Sequence, residues 1–501
     1  MPVASFGCKV SVQNGAMQKK SVAIIGAGIS GLATAKAFLS QGHAVTVFEK
    51  LSTLGGVWSP ERRYPGLRIQ ISRKCYCLSD HPMPDDYPEF PTSEQMHAYL
   101  SSYAERFGVC DHIRFATEIV RIVRRPDGAD GWRLEERSGA THDFDFVVVC
   151  NGLFSIPSIP DVPGRAEFEA AGGIVLHSSQ LRDAATLKGR KAVVVGFGKS
   201  ALDMAEVARE QAQTAAVVCR HVHWKFPRRL FGRTNIMRFV LSRFTEVWFP
   251  NPEGGRAQQF MHRWLRPVVA AYWSVSAFVI AREAGLRGGL RPDIPLRQAS
   301  VCIGLAPADR FKPLRDGRIQ LHRAGLKGLR AGAIELDTGA VVPADAVVFA
   351  TGYRQECAFL GEAEKALVFD PSGAMLLYRA MVNPDVPNMA FNGYSGIGAC
   401  QITAEVGAYW LVRFVEGRIA VPDRAAMHAS IRAELDLRAR LVTTRQTGGT
   451  YVSPFTFGYL DQLLRDLGLP PADRHKSLFK WLFDPLDPRD YRDLLSKADA
   501  R

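Results

Sequence analysis

The chain reads as an α/β protein built from two Rossmann-like units, the second carrying a helical insertion. Two observations predict this. The fingerprint Gly26-Ala27-Gly28-Ile29-Ser30-Gly31 follows the apolar run Val22-Ala23-Ile24-Ile25 and precedes a helical pattern over 32–39. A second fingerprint, Gly196-Phe197-Gly198-Lys199-Ser200-Ala201, follows Ala192-Val193-Val194-Val195 and precedes a helical pattern over 201–207. Both have the strand–turn–helix setting this motif requires. The first Gly permits the tight turn, the second lets the backbone approach a pyrophosphate, and a small third residue (Gly31 or Ala201) lets helix and strand pack closely. The helix N-terminus then presents free N–H groups and a positive dipole end to phosphate.

The two motifs end differently. Glu49 stands 23 residues beyond Gly26, at the end of the strand pattern Ala44-Val45-Thr46-Val47-Phe48, and the same count from Gly196 reaches Cys219, with Arg220 next. A carboxylate at that place accepts the ribose hydroxyls of an adenosine. Cys219 cannot do so, whereas Arg220 can pair with a 2′-phosphate. The expectation is FAD on Gly26, Gly28, Ile29, Ser30, Gly31 and Glu49, and NADPH on Gly196, Gly198, Ser200 and Arg220. Lys199 lies in the phosphate turn as a candidate partner for NADPH. Two dinucleotides in one chain imply electron transfer from one to the other.

A chain of 501 residues accommodates two or more domains. Its 63 basic and 50 acidic residues leave a net charge of +13, which suits an anionic cofactor and an anionic partner or surface. No nucleic-acid motif accompanies the charge, so the plain reading is an arginine-rich solvated surface. The nine cysteines are odd in number and follow no framework, which predicts free thiols in a reducing, cytoplasmic compartment. Cys75-Tyr76-Cys77 has the wrong spacing for a redox-active disulfide. His221 and His223 lack a carboxylate pattern nearby, so no metal site is expected. Residues 1–20 read as a loose tail without signal or anchor. The apolar run 267–281, 15 residues with two serines inside, is short for a membrane span and reads as a buried helix.

The expected organisation is a tail over 1–20, a first part of the FAD domain over 21–164, and an NADPH domain over 165–330. The helical insertion falls at about 224–297. A second part of the FAD domain follows over 331–445, and a C-terminal extension over 446–501. Pro157, Pro160, Pro163 and Gly164 mark the crossing between domains. The strand Ala346-Val347-Val348-Phe349-Ala350, followed by Thr351-Gly352, echoes the earlier strand before Asn151-Gly152 and is assigned to the returning first domain. Asn392-Gly393-Tyr394-Ser395-Gly396-Ile397-Gly398 leads into a helix near Gln401-Ile402-Thr403. Its N-terminus would suit the pyrimidine end of a flavin, placing Gln401 and Thr403 beside FAD.

These residues resemble the class B flavoprotein monooxygenases, the flavin-containing and Baeyer–Villiger group, over about 21–417. The resemblance rests on both fingerprints, on Glu49, Gly55-Gly56-Val57-Trp58, Ser79-Asp80-His81-Pro82-Met83-Pro84, Lys199-Ser200-Ala201-Leu202-Asp203 and Ala350-Thr351-Gly352-Tyr353. It implies that Gly56, Val57 and Trp58 lie along the flavin and that Asp203 belongs to the NADPH site. The family signature between the two sites is degenerate here: Gly173 and His177 keep their spacing, but Ala171 and Leu181 replace its aromatic positions. Ten residues before Asp80 the flavin-containing branch has Asn and the Baeyer–Villiger branch Asp; this chain has Gln70, a carboxamide.

The resemblance further implies that NADPH reduces FAD and that reduced flavin and O₂ give a C4a-(hydro)peroxide in a site that excludes water. The protonated species oxygenates amines and sulfides; the deprotonated one attacks ketones by the Baeyer–Villiger route. Gln70 is the candidate contact between flavin and NADP⁺, and His177 the second candidate catalytic residue. The alternative is an NADPH-dependent flavin reductase or oxidase without substrate oxygenation. In the insertion, Lys225, Arg228, Arg229, Arg233, Arg238 and Arg243 alternate with apolar residues. The plain reading is a helical cap. Two sharper readings are a peripheral membrane face and a docking face for an acidic acyl-carrier protein.

Overall fold

The computed structural model describes residues 19–251, 254–299, 304–395, 399–441 and 454–500. Residues 1–18 of the tail expected over 1–20, and the Gly396-Ile397-Gly398 segment, lie outside them. From the amino end, β1 (Ser21–Ile25), α1 (Ile29–Ser40) and β2 (Ala44–Phe48) form the first strand–helix–strand unit, followed by β3 (Ile113–Arg114) and β4 (Phe146–Val149). The second unit contains β5 (Ile174–His177), β6 (Lys191–Val195), α2 (Lys199–Gln211) and β7 (Thr214–Val218). The inserted segment contributes α3 (Arg243–Val247), α4 (Arg256–Trp264) and α5 (Arg266–Ala284). After it come β8 (Gln320–His322), β9 (Ala346–Phe349), β10 (Met389–Phe391), α6 (Cys400–Val415), α7 (Thr456–Asp466) and α8 (Leu478–Phe483).

Two five-stranded sheets result, in the orders β10-β4-β1-β2-β3 and β8-β7-β6-β9-β5, and every pairing in both is parallel. Parallel sheets are covered on both faces, so their strands are continuously apolar. Ala23 and Ile24 of β1, both fully buried, enter separate apolar clusters on the two faces of the first sheet. One face carries α1 and α6; the other carries the antiparallel strands Ile119–Arg124 and Trp132–Glu136.

The domain limits differ from the expected ones. The strand over 346–349 does not return to the first sheet; it lies between β6 and β5 in the second. The antiparallel strands Leu326–Arg330, Ala333–Leu336 and Val341–Pro343 also pack on the second sheet, so that unit continues past 330 to about 350. The returning strand is β10, paired with β4 and followed by Asn392-Gly393. Both candidate strands are short, apolar and followed by a polar residue and Gly; local sequence carries no information on which sheet has a free edge. The insertion is also less helical than expected, since it opens with the strands Lys225–Pro227, Arg229–Leu230 and Thr234–Asn235.

The first sheet and its helices are tied by buried polar groups. Asn392, just after β10, donates from Nδ2 to Thr34 Oγ1 of α1 and to the Ala404 carbonyl of α6, both at 2.9 Å. Buried Lys36 pairs with Asp80 and stands 4.0 Å from Glu405, which accepts from the Ser79 N–H and Oγ at 2.8 Å each. The Ser79-Asp80 pair therefore satisfies charges between α1 and α6. The insertion is fastened to the C-terminal segment. Arg243 donates to Asp461 and Asp473 at 2.7–3.0 Å, and Glu246 accepts from the N–H groups of Phe457 and Gly458 at 2.6 and 3.1 Å, capping α7.

Packing against backbone is tight at Gly31, where a Cβ would stand 1.9 Å from the Gly26 carbonyl oxygen. Backbone cannot yield there as a side chain would. Gly31→Ala is expected to cost at least the 1–3 kcal/mol typical of overpacking, about that or more, read as a lower urea midpoint of unfolding.

Candidate active site

Because all strands in each sheet are parallel, their carboxyl ends and the amino ends of the following helices share one edge. Both edges open onto a single cavity of about 1600 Å³. Single small-molecule pockets are roughly 300–1,000 Å³, so this one has room for more than one ligand.

At the first turn, Gly26 has φ +106° and a Cβ there would meet the Cys150 carbonyl oxygen at 2.8 Å. Gly28 differs. Its φ is −79°, open to any residue, and an added Cβ would lie an ordinary 3.7 Å from Gly56 Cα. Nothing in the protein requires Gly at 28; the open space suits a group brought in from outside. Helix α1 has no side-chain cap, so its first N–H groups are available to a ligand. Buried Glu49 at the end of β2 accepts from the N–H groups of Ala27 and Leu51 at 2.8 and 2.9 Å, which locks the carboxylate in the cavity wall. Gly26, Gly28, Ile29, Ser30, Glu49, Gly56, Val57, Trp58 and Gln70 all line the cavity; Gly31 serves packing behind it.

The second turn repeats the pattern. A Cβ at Gly196 would meet the Ala350 carbonyl at 2.5 Å, whereas one at Gly198 would meet nothing within 4 Å. Helix α2 likewise lacks a side-chain cap. Gly196, Gly198, Lys199, Ser200 and exposed Arg220 line the cavity. Lys199 and Asp203 are corrected: they pair with each other, and the Lys199 Nζ also reaches the Tyr64 hydroxyl at 3.3 Å. Burial lowers the Lys199 pKa while Asp203 pulls it up. Lys199 lines the cavity, whereas Asp203 does not.

Tyr64 was missed as a functional residue. Its hydroxyl donates to Asp203 Oδ2 at 2.9 Å and lies 3.3 Å from Ser200 Oγ, so the first unit grips the amino end of α2. Burial and the Asp203 charge raise its pKa well above that of free tyrosine, which keeps it a neutral donor. No spacing rule reveals such a contact between residues 139 apart.

Gln70 lines the cavity and accepts from the Leu305 N–H at 3.2 Å through Oε1. That commits the carbonyl end of its amide to the second unit. At the head of α6 the cavity is lined by Cys400, beside the Tyr76 hydroxyl at 3.9 Å, and the helix carries no side-chain cap. The expected Gln401 and Thr403 side chains are buried behind it, with Thr403 Oγ1 bonded to Ser395 Oγ at 2.9 Å. Burial pushes the Cys400 thiol up to about 11, so it faces the cavity uncharged. Opposite, Phe239, Phe244, Phe249, Tyr272, Val279 and Ile280 form an apolar chamber.

His177 is also corrected. It is fully buried, does not line the cavity, and both ring nitrogens are engaged, Nδ1 with Ser179 Oγ at 2.8 Å and Nε2 with the Gly352 carbonyl at 3.0 Å. It ties the end of β5 to the turn after β9, with its ring 4.9 Å from that of Tyr353. The seven described cysteines are free thiols, and no metal-binding cluster occurs among the described residues.

Burial holds the His177 pKa below the ordinary 6.5. A depressed folded-state pKa contributes stability that is complete above pH 6.5 and lost as pH falls through the folded value. His177→Ala is expected to cost about 1–3 kcal/mol and to flatten the decline of melting temperature below pH 6.5. Turnover should change by less than about tenfold; a loss of about 10²–10⁴ would instead mark a proton-transfer group.

Comparison with known proteins follows this geometry. The profile of the family described as flavin-binding monooxygenase-like matches residues 19–249 and 317–485. The probable flavin-containing monooxygenase 1 of Arabidopsis thaliana is 29% identical over 519 residues, covering 94% of this chain and 96% of its own. The dimethylaniline monooxygenase [N-oxide-forming] 2 of Oryctolagus cuniculus is 27% identical over 493 residues, covering 92% and 85%. Among solved structures, oxidized steroid monooxygenase bound to NADP shares the fold at a TM-score of 0.66 and 20% identity, covering 91% of this chain and 99% of its own. The S-allyl-L-cysteine S-oxygenase of Allium sativum does so at 0.61 and 20%, covering 97% and 93%.

Proposed function

The chain belongs to the flavin-binding monooxygenase-like family, and from that premise we propose that it uses NADPH, FAD and O₂ to insert one oxygen atom into an apolar organic substrate. The observation that carries this is the pairing of two uncapped helix N-termini on one cavity, each beside a Gly whose Cβ space is open, with Glu49 on one side and Arg220 on the other. These residues fit two dinucleotides of different charge. The N-terminus of α1 and Gly28 would hold the FAD pyrophosphate, and Glu49 its ribose. The N-terminus of α2 and Gly198 would hold the NADPH pyrophosphate, and Arg220 its 2′-phosphate.

Bound FAD supplies the redox and oxygen chemistry. The chain supplies position and dryness. Trp58, Tyr76 and Cys400 wall the place where the flavin ring would lie, and the uncapped α6 terminus would face negative charge there. Gln70, anchored on Leu305, would orient an amide toward both cofactors. The apolar side chains of the chamber offer water few hydrogen-bond partners, which would disfavour unproductive release of hydrogen peroxide. The lining contributed by 224–297 includes no carboxylate among the described residues, so it offers no partner for a permanent cation and favours neutral substrates. Sulfide, neutral amine and ketone all satisfy this.

Two measurements test the reading. With isotopically labelled O₂, product screening by mass spectrometry over sulfides, amines and ketones should find one label per product and NADPH consumption matched to product. Stoichiometric hydrogen peroxide with every substrate would instead identify a reductase or oxidase. Arg220→Ala is expected to raise KM for NADPH by about 10–100-fold, the loss of about 1.5–3 kcal/mol of charged hydrogen bonding, while KM for NADH stays within about twofold.

A further inference from the structure

Helix α5 is misplaced by ordinary burial rules. Its 19 residues are apolar around the circumference, yet only Ile280 and Ala284 are buried. The expectation of a buried helix over 267–281 is therefore wrong. Val268, Ala271, Val275 and Phe278 form an outward stripe at helical spacing, with Val275 and Phe278 62% and 67% exposed. Helix α4, bent 87° from α5, adds exposed Phe260 and Trp264. Leu478 and Phe479 of α8, 78% and 67% exposed, continue the face. The Phe479 ring is 4.9 Å from Phe483, Phe483 is 4.8 Å from Phe244, and Phe244 is 5.9 Å from Tyr272 of α5. An apolar helix left in water is unusual unless something covers it, and contiguous exposed patches mark interaction sites.

The charges at this face identify the cover. Helices α4 and α5 carry Arg256, Arg263, Arg266 and Arg282 against one carboxylate, Glu283, which accepts from the Phe231 N–H at 2.7 Å. All four arginines are exposed and form no ion pair among the described residues; Arg282 falls within the α5 stripe, Arg263 and Arg266 line a small cavity with Leu437 and Arg440, and Lys480 of α8 is exposed beside Leu478 and Phe479. Among the described residues no single helix is long and apolar enough to cross a membrane, and the α4–α5 pair passes that test only as a bent pair. Tyr272, Ser276 and Val279 on the other side of α5 line the cavity, so that side of α5 is part of the protein's own interior wall. Val275 is both exposed and cavity-lining, so the cavity opens at this face.

We propose that α4, α5 and the start of α8 form a docking face for an anionic lipid bilayer. The helices lie in the headgroup–acyl boundary, with Trp264, Phe278, Leu478 and Phe479 in the acyl region and the arginines at the phosphates. An acidic carrier protein would answer the arginines but leave the apolar stripe in water. A second copy would cover the stripe but oppose arginine to arginine. On the oxygenation reading above, the face would admit a substrate dissolved in the bilayer directly to the chamber.

The test is co-sedimentation of the full chain with phosphatidylcholine–phosphatidylglycerol vesicles and with pure phosphatidylcholine vesicles. Binding is expected on the anionic vesicles, at least about tenfold weaker on the neutral ones. Trp264→Ser with Phe278→Ser, and separately Arg282→Glu with Lys480→Glu, should each weaken binding by about tenfold or more. None of the four side chains lines the cavity, so flavin content and NADPH oxidation should stay unchanged. Equal sedimentation of parent and both variants overturns the proposal. So does a dimer lost on Phe278→Ser, or retention by an acidic carrier protein without lipid. The readout does not depend on turnover, so its failure would leave the oxygenation reading standing.

Discussion

A parallel strand followed by a helix sends two unsatisfied things to one place: the strand's carboxyl end and the helix's uncompensated N–H groups. In this protein that happens twice, at β1–α1 and β6–α2, and both edges face one cavity. Neither helix is capped by its own side chains, and the same holds for α6. Three positive helix ends left open toward one space are costly in an empty protein and favourable around anionic cofactors. Much of the remaining architecture holds those ends in place.

That holding is done by polar groups buried between elements. Asn392 joins β10, α1 and α6. Lys36, Asp80 and Glu405 fix α1 against α6, Tyr64 reaches from the first unit to α2, and His177 pins the turn after β9. Each would be expensive if its partner were lost, because the other member would remain buried and unsatisfied. The insertion is held in the same manner through Arg243 and Glu246, and also by the Arg229–Glu89 and Arg323–Asp293 pairs. Its outer helices α4 and α5 leave Phe260, Trp264, Val275 and Phe278 exposed. Firm ties around the cofactor turns and an open apolar flank at the cavity mouth are thus parts of one arrangement.

The sequence by itself determined the local devices. Each fingerprint is a contiguous strand, turn and helix, so the residues that create it are neighbours and their chemistry can be read in order. The same is true of Glu49 and Arg220, each placed at the end of the next strand by a fixed count. Only the tertiary structure decided where distant pieces went. The strand over 346–349 looks like a partner of the first sheet until pairing with β6 and β5 assigns it to the second, because an apolar strand fits any open edge. Lys199 and Asp203 sit in the expected turn, yet an i,i+4 ion pair and Tyr64 from the other unit occupy them. Apolar content foretold a helix near 267–281 but not which of its faces the protein would cover. Burial depends on what packs against a residue, and that is a property of the whole chain in three dimensions, not of any segment of it.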